Sequence, residues 1–76
     1  MEIVVKLYGD LKRYAPGDRP HFALRLETGS TLENIFRILA IPEGHHTALI
    51  NGRRSSPDAT VANGDTLVIM PLISGG

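Results

Sequence analysis

The chain has 76 residues and a mass of 8.3 kDa, room for one small domain with one core. It contains no cysteine, which excludes a disulfide framework, a thiolate zinc site, an iron–sulfur cluster and a cysteine nucleophile. Eight basic residues balance eight acidic ones, which argues against nucleic acid or an anionic membrane as partner, since both need clustered positive charge. An apolar content of 42 % argues against disorder. The start, Met-Glu-Ile-Val-Val-Lys, lacks the pattern of a signal peptide. The longest apolar run, Leu67 to Ile73, is seven residues and contains a proline, where a bilayer span needs about 20. These features predict a cytoplasmic globular domain too small for a deep active site.

Residues 2–8 alternate, with Ile3, Val5 and Leu7 on one face, and this predicts a first strand. Gly9 stops it, and Asp10 is placed to cap a short turn in which Leu11 and Tyr14 share a side. The stretch from Tyr8 to His21 is long for a hairpin loop, so some structure is built there. Phe22, Leu24 and Leu26 alternate with polar positions as a second strand. Ser30-Thr31-Leu32-Glu33 reads as a capping box, with Ser30 as N-cap and Glu33 reaching back. Leu32, Ile35, Phe36 and Leu39 then form one helical stripe, Glu33 and Arg37 pair one turn apart, and Pro42 ends the helix.

Ala48 to Ile50 is a short strand, returned by Asn51-Gly52, a strong hairpin signal. Asn63-Gly64-Asp65 is another turn, and Thr66 to Met70 is the last strand. Pro71 lacks the N–H to prolong it freely. The predicted core is Ile3, Val5, Leu7, Phe22, Leu24, Leu26, Leu32, Ile35, Phe36, Leu39, Ile50, Val61, Leu67 and Ile69. One helix can cover one face of a single sheet, so the fold class is α+β in two layers. The division is a domain over 1–71 and a tail over 72–76.

Signals of catalysis are scarce. Glycine-rich phosphate loops and the His-Glu-x-x-His motif do not occur. His45-His46 has no third ligand close in sequence and reads as a solvated loop, and no cofactor is implied. His21 reads as a surface residue, and Ser55-Ser56 lacks an evident partner for a nucleophile. Arg53-Arg54 reads either as a solubilising edge or as a site for an acidic partner.

The last stretch is more informative. From Thr66 to Gly76 no side chain carries charge, and the sequence runs to Gly75-Gly76. Such an end is either a frayed terminus or a functional tail. Glycines without a Cβ can thread a narrow channel, and Pro71 to Gly76 can reach roughly 20 Å at ~3.3 Å per residue. On the tail reading Gly75 and Gly76 are mobile in the free protein.

Three stretches together carry a resemblance: Val5-Lys6-Leu7-Tyr8-Gly9-Asp10-Leu11, Leu49-Ile50-Asn51-Gly52, and Asn63-Gly64-Asp65-Thr66-Leu67-Val68-Ile69-Met70-Pro71 running to Ser74-Gly75-Gly76. With the capped helix between them, the chain resembles the ubiquitin-like β-grasp proteins, specifically the MoaD/ThiS family of sulfur carriers. The resemblance implies a mixed sheet on one helix, with the first and last strands parallel at its centre and a flexible tail beyond. It also implies a carrier rather than an enzyme. The resemblance further implies that the terminal carboxylate, on Gly76, is adenylated by an ATP-dependent partner related to ubiquitin-activating enzymes and converted to a thiocarboxylate, with Gly75 and Ser74 giving access to it.

The segment Gly9 to Pro20 resembles the small subunit of molybdopterin synthase, which implies the synthase large subunit as sulfur-consuming partner. Met70 stands where that subunit commonly has proline, which leaves open a carrier for tungsten cofactor, tRNA thiolation or another sulfur acceptor, thiamine synthesis included. Conjugation to proteins, as by ubiquitin, is the alternative from another class.

Alternation also sends Val4, Val68 and Met70 to the sheet face away from the helix. Together with Leu72 beside the tail they form a predicted partner-docking patch.

Overall fold

The computed structural model describes residues 1–42, 44 and 46–72. Among these residues five strands form one sheet: β1 (Glu2–Leu7), β2 (His21–Arg25), β3 (His46–Ile50), β4 (Arg53–Arg54) and β5 (Thr66–Pro71), with one α-helix, α1 (Leu32–Ile38). The sheet order is β2-β1-β5-β3-β4, and β1 and β5 run parallel at its centre. This is the β-grasp arrangement expected from the resemblance.

The apolar alternation decides which face is covered. Ile3, Val5 and Leu7 from β1 and Leu67 and Ile69 from β5 are almost wholly buried against Leu32 and Ile35 of α1. Because β2 is an edge strand, Phe22 and Leu24 pack on this core while staying partly exposed, as do Phe36 and Ile50. Leu11, Ala15, Ile41 and Ala48 are further core residues that the strand and helix patterns do not mark.

The long connection from β1 to β2 is built as two short 3₁₀ turns, Gly9–Tyr14 and Pro16–Asp18. Asp10 does not cap the first of them: the N-cap position is Tyr8, and no side chain caps it. Leu11 anchors that turn in the core instead.

The helix starts one residue later than the sequence suggests. Thr31, not Ser30, is the N-cap, accepting from Asn34 N at 3.3 Å while Asn34 Oδ1 accepts from Thr31 N at 3.0 Å. Thr31 is held extended by a bridge to Thr60, and Val61 N donates to Ser30 O. Ser30 Oγ turns back to Glu27 O, and Glu33 pairs with Arg37 at 3.1 Å. The helix also ends before Pro42 acts. Ala40 takes φ +58°, Ile41 N donates to Phe36 O and Ala40 N to Arg37 O, a Schellman closure.

Strand β3 begins at His46, so this histidine is part of the sheet and not of a solvated loop. Its half-buried ring meets Phe36 edge-on at 5.0 Å, and Nε2 lies 3.1 Å from Pro42 O. Its neighbour His45 lies outside the described residues.

Pairing also continues through Pro71, opposite His46, where the sequence reading stops at Met70. Ile69 O accepts from Tyr8 N, whereas Thr66 exchanges its bonds with Asn51, so odd positions of β5 address β1 and even ones β3. The N–H that Pro71 lacks would point past the end of β1, and no ladder bond is lost.

Candidate partner-docking face and tail base

The sheet face away from α1 carries the even residues of β1 and β5, Thr47 and Leu49 of β3, Arg54 of β4, and His21, Ala23 and Arg25 of β2. Val4 is 40 % exposed there, and Val68 and Met70 are half-buried because strands flank β5 on both sides. Leu72, just beyond β5, is 44 % exposed. The predicted patch residues Val4, Val68 and Met70 therefore share one face.

The register refines their neighbourhood. Val4 pairs with Thr66, and the direct neighbour of Val68 on β1 is Lys6. On its other side Val68 meets Leu49, and Met70 meets Thr47. Leu49 is an apolar member of this face that the predicted patch left out. Alternation with core-facing Ile50 puts it there, and only the pairing with β5 shows that it stands beside Val68.

The tail base is set by a close contact between the first turn and the last strand. Gly9 has φ +62°, and a Cβ built on it would stand 2.7 Å from Pro71 Cγ. Gly9 is thus required twice, for a left-handed backbone and for the approach of the proline ring. Ser74, Gly75 and Gly76, the predicted access and reaction residues, lie outside the described residues, as does the expected mobility of the tail.

Elsewhere the geometry offers little for catalysis. A cavity of ≈ 590 Å³ opens between α1 and β3, lined by Phe36, Arg37, Ile41, His46, Ser55 and Pro57. Its Arg37 is engaged by Glu33 at 3.1 Å, and Ser55 Oγ donates to Arg53 O. Among the described residues no cluster of His, Asp and Glu could hold a metal. Among the described residues no helix is long and apolar enough to cross a membrane.

Similarity to known proteins points the same way as the fold. No curated protein sequence matches the chain. In structure it is similar to small archaeal modifier protein 1 of Haloferax volcanii, with a TM-score of 0.80, 21 % identity and both chains covered in full. It is also similar to a Pyrococcus furiosus protein described as molybdopterin converting factor subunit 1, with a TM-score of 0.78 and 16 % identity over 95 % of this chain and 98 % of that one. A third likeness is to a chain from the complex of subunits 1 and 2 of the molybdopterin-converting factor from Helicobacter pylori, with a TM-score of 0.68, 19 % identity and full coverage of this chain and that one. Identities this low speak for the fold. The family profile speaks for descent: that of the ThiS family matches residues 5–76, nearly the whole sequence, and the chain belongs to the ThiS family.

Proposed function

We propose that the chain is a sulfur carrier that works through the carboxylate of Gly76. The observation that carries this reading is the family match, which runs from Val5 through Gly75 and Gly76. A carboxylate is a poor electrophile, so it must first be activated. It attacks the α-phosphorus of ATP on an adenylating partner and releases pyrophosphate. A hydrosulfide-level donor then displaces AMP and loses its proton, leaving a thiocarboxylate. Gly76 is the reacting residue, Gly75 and Ser74 are the access residues, and no group of the chain itself catalyses either step. The domain over 1–71 presents the tail over 72–76, and Val4, Val68, Met70 and Leu72 dock the partners.

The sulfur acceptor on this reading is molybdopterin synthesis, with a synthase large subunit as partner. Support comes from the built connection Gly9 to Pro20 and from the likeness to converting-factor subunits, one of them in complex with its second subunit. A second reading, a modifier conjugated to proteins through Gly76, is favoured by the likeness to small archaeal modifier protein 1. Only Lys6 and Lys12 are present as lysines, which speaks against chain building but not against single attachment.

Incubation with the activating enzyme of the same genome, ATP and a sulfur donor, followed by intact-mass measurement, separates these readings. One oxygen replaced by one sulfur is the expected result; an adduct on another protein supports conjugation, and an unchanged mass overturns both. For the docking patch, Val68→Asp should change stability by no more than about 1 kcal/mol while weakening binding to both partners. Calorimetric titration with each partner checks this, and unchanged affinity removes the patch from the mechanism.

A further inference from the structure

The open face is not evenly charged, although the whole chain is neutral. The pairing registers place His21, Lys6, Val68, Leu49 and Arg54 in one transverse row across all five strands. Two apolar side chains are thus bracketed by two cations. The rows on either side are uncharged along β1 and β5: Val4 with Ala23 and Thr66, and Met70 with Thr47. Glu2 is the one acidic residue in any strand, and it pairs across to Arg25 at 3.9 Å. No carboxylate of the described residues lies within ion-pair distance of Lys6 or Arg54.

We infer that this row docks a protein segment in which an apolar side chain is flanked by carboxylates on both sides. The inference rests on the carrier reading for which partner supplies the segment, and it assigns that partner's chemistry. Lys6 and Arg54 stand three strand spacings apart, about 14 Å at ~4.8 Å per strand. In an extended segment, side chains four positions apart share a face and are separated by a similar ~13 Å. An acid–x–apolar–x–acid segment therefore places its central residue over Val68 and Leu49 while its carboxylates meet Lys6 and Arg54. The Lys6 stem, half-buried beside Val68, adds apolar surface while its ammonium stays free to pair. Charges so arranged steer encounter and fix register more than they add affinity.

Two measurements test the row, the first independent of sulfur chemistry. The capped peptide Asp-Ser-Leu-Ser-Asp is titrated into the labelled protein and followed by NMR, against Asn-Ser-Leu-Ser-Asn. Shifts centred on Lys6, Val68, Leu49 and Arg54, weakened by salt and lost with the Asn peptide, are expected. Shifts elsewhere, equal response to both peptides, or no response overturn the inference. In the second, Lys6→Gln and Arg54→Gln should each raise the KM of the carrier for its activating enzyme about tenfold at unchanged kcat. Arg53→Gln, paired opposite Ile50 on the other face, should leave KM alone. Equal KM for all variants overturns the row. If the unsubstituted chain is not adenylated at all, the carrier reading fails, and the peptide titration still decides the row.

Discussion

Ala40 holds φ +58° at the position after the C-cap of α1, where glycine is the usual residue. Alanine has no local signature for that conformation, so the sequence pointed to Pro42 as the stop. The side chain is exposed, and its removal relieves the Cβ clash of a left-handed backbone without opening a cavity. Ala40→Gly is expected to stabilise the fold by about 0.5–1 kcal/mol, read as a higher melting temperature; a lower one would contradict the Schellman closure. Gly9 is the opposite case. Gly9→Ala adds a Cβ at φ +62° and at 2.7 Å from Pro71 Cγ, and should cost more than the ~1–2 kcal/mol of the backbone alone. Because the obstacle is the proline ring, Pro71→Ala in the same chain should recover part of that loss. Equal stability of the single and double variants in chemical denaturation would show that the ring contact carries no weight. By contrast, Asn51 and Gly52 adopt φ +50° and +82°, the turn that their identities announce.

At the scale of elements, periodicity was readable and boundaries were not. The stripe Leu32, Ile35, Phe36 and Leu39 marks α1 because helical spacing is a local property. The choice between Ser30 and Thr31 as cap is non-local: it is decided by Thr60 and Val61, which hold this strand-like entry from a distant loop. The two hydroxyls are therefore predicted to differ. Thr31→Ala should cost about 1 kcal/mol by removing the acceptor for Asn34 N, and Ser30→Ala only a few tenths, since its exposed bond to Glu27 O is replaceable by water. Thermal melts of the pair check this, and the reverse order would return the cap to Ser30. The hairpin and the turn before β5 show the same limit. Each is legible by itself, but Asn51 Nδ2 donates to Asp65 Oδ1 at 2.9 Å and Thr66 N to Asn51 Oδ1 at 2.9 Å, joining signals that lie far apart in the chain.

At the scale of the whole molecule, the parallel pairing of β1 and β5 puts the end of the last strand beside the first turn, with Pro71 against Gly9. Alternation could assign Val4, Val68 and Met70 to the open face, because facing depends only on parity within a strand. It could not assign Lys6 to Val68, because register between strands far apart in the chain is settled only by their pairing, whereas the two-residue turn Asn51-Gly52 by itself sets Arg54 opposite Leu49. Strand β5 ends at Pro71, and under the carrier reading the residues beyond it must span a fixed distance to a partner's active centre. That distance makes length the quantity under test. One residue appended after Gly76 moves the terminal carboxylate outward by ~3.3 Å, whereas misplacement by about 1 Å already costs on the order of a hundredfold in an aligned displacement. It also replaces the carboxylate of Gly76 by an amide and transfers the acid to a residue that carries a side chain. The fold should not respond, since the buried core is built from residues between Ile3 and Ile69. The extended chain, with its extra residue verified by intact mass, is therefore expected to melt like the original and dock on the activating enzyme with similar affinity. Its pyrophosphate exchange should fall at least a hundredfold. Adenylation at the original rate would show that the reacting carboxylate is not placed by the length of the tail, and would remove Gly76 from the reaction.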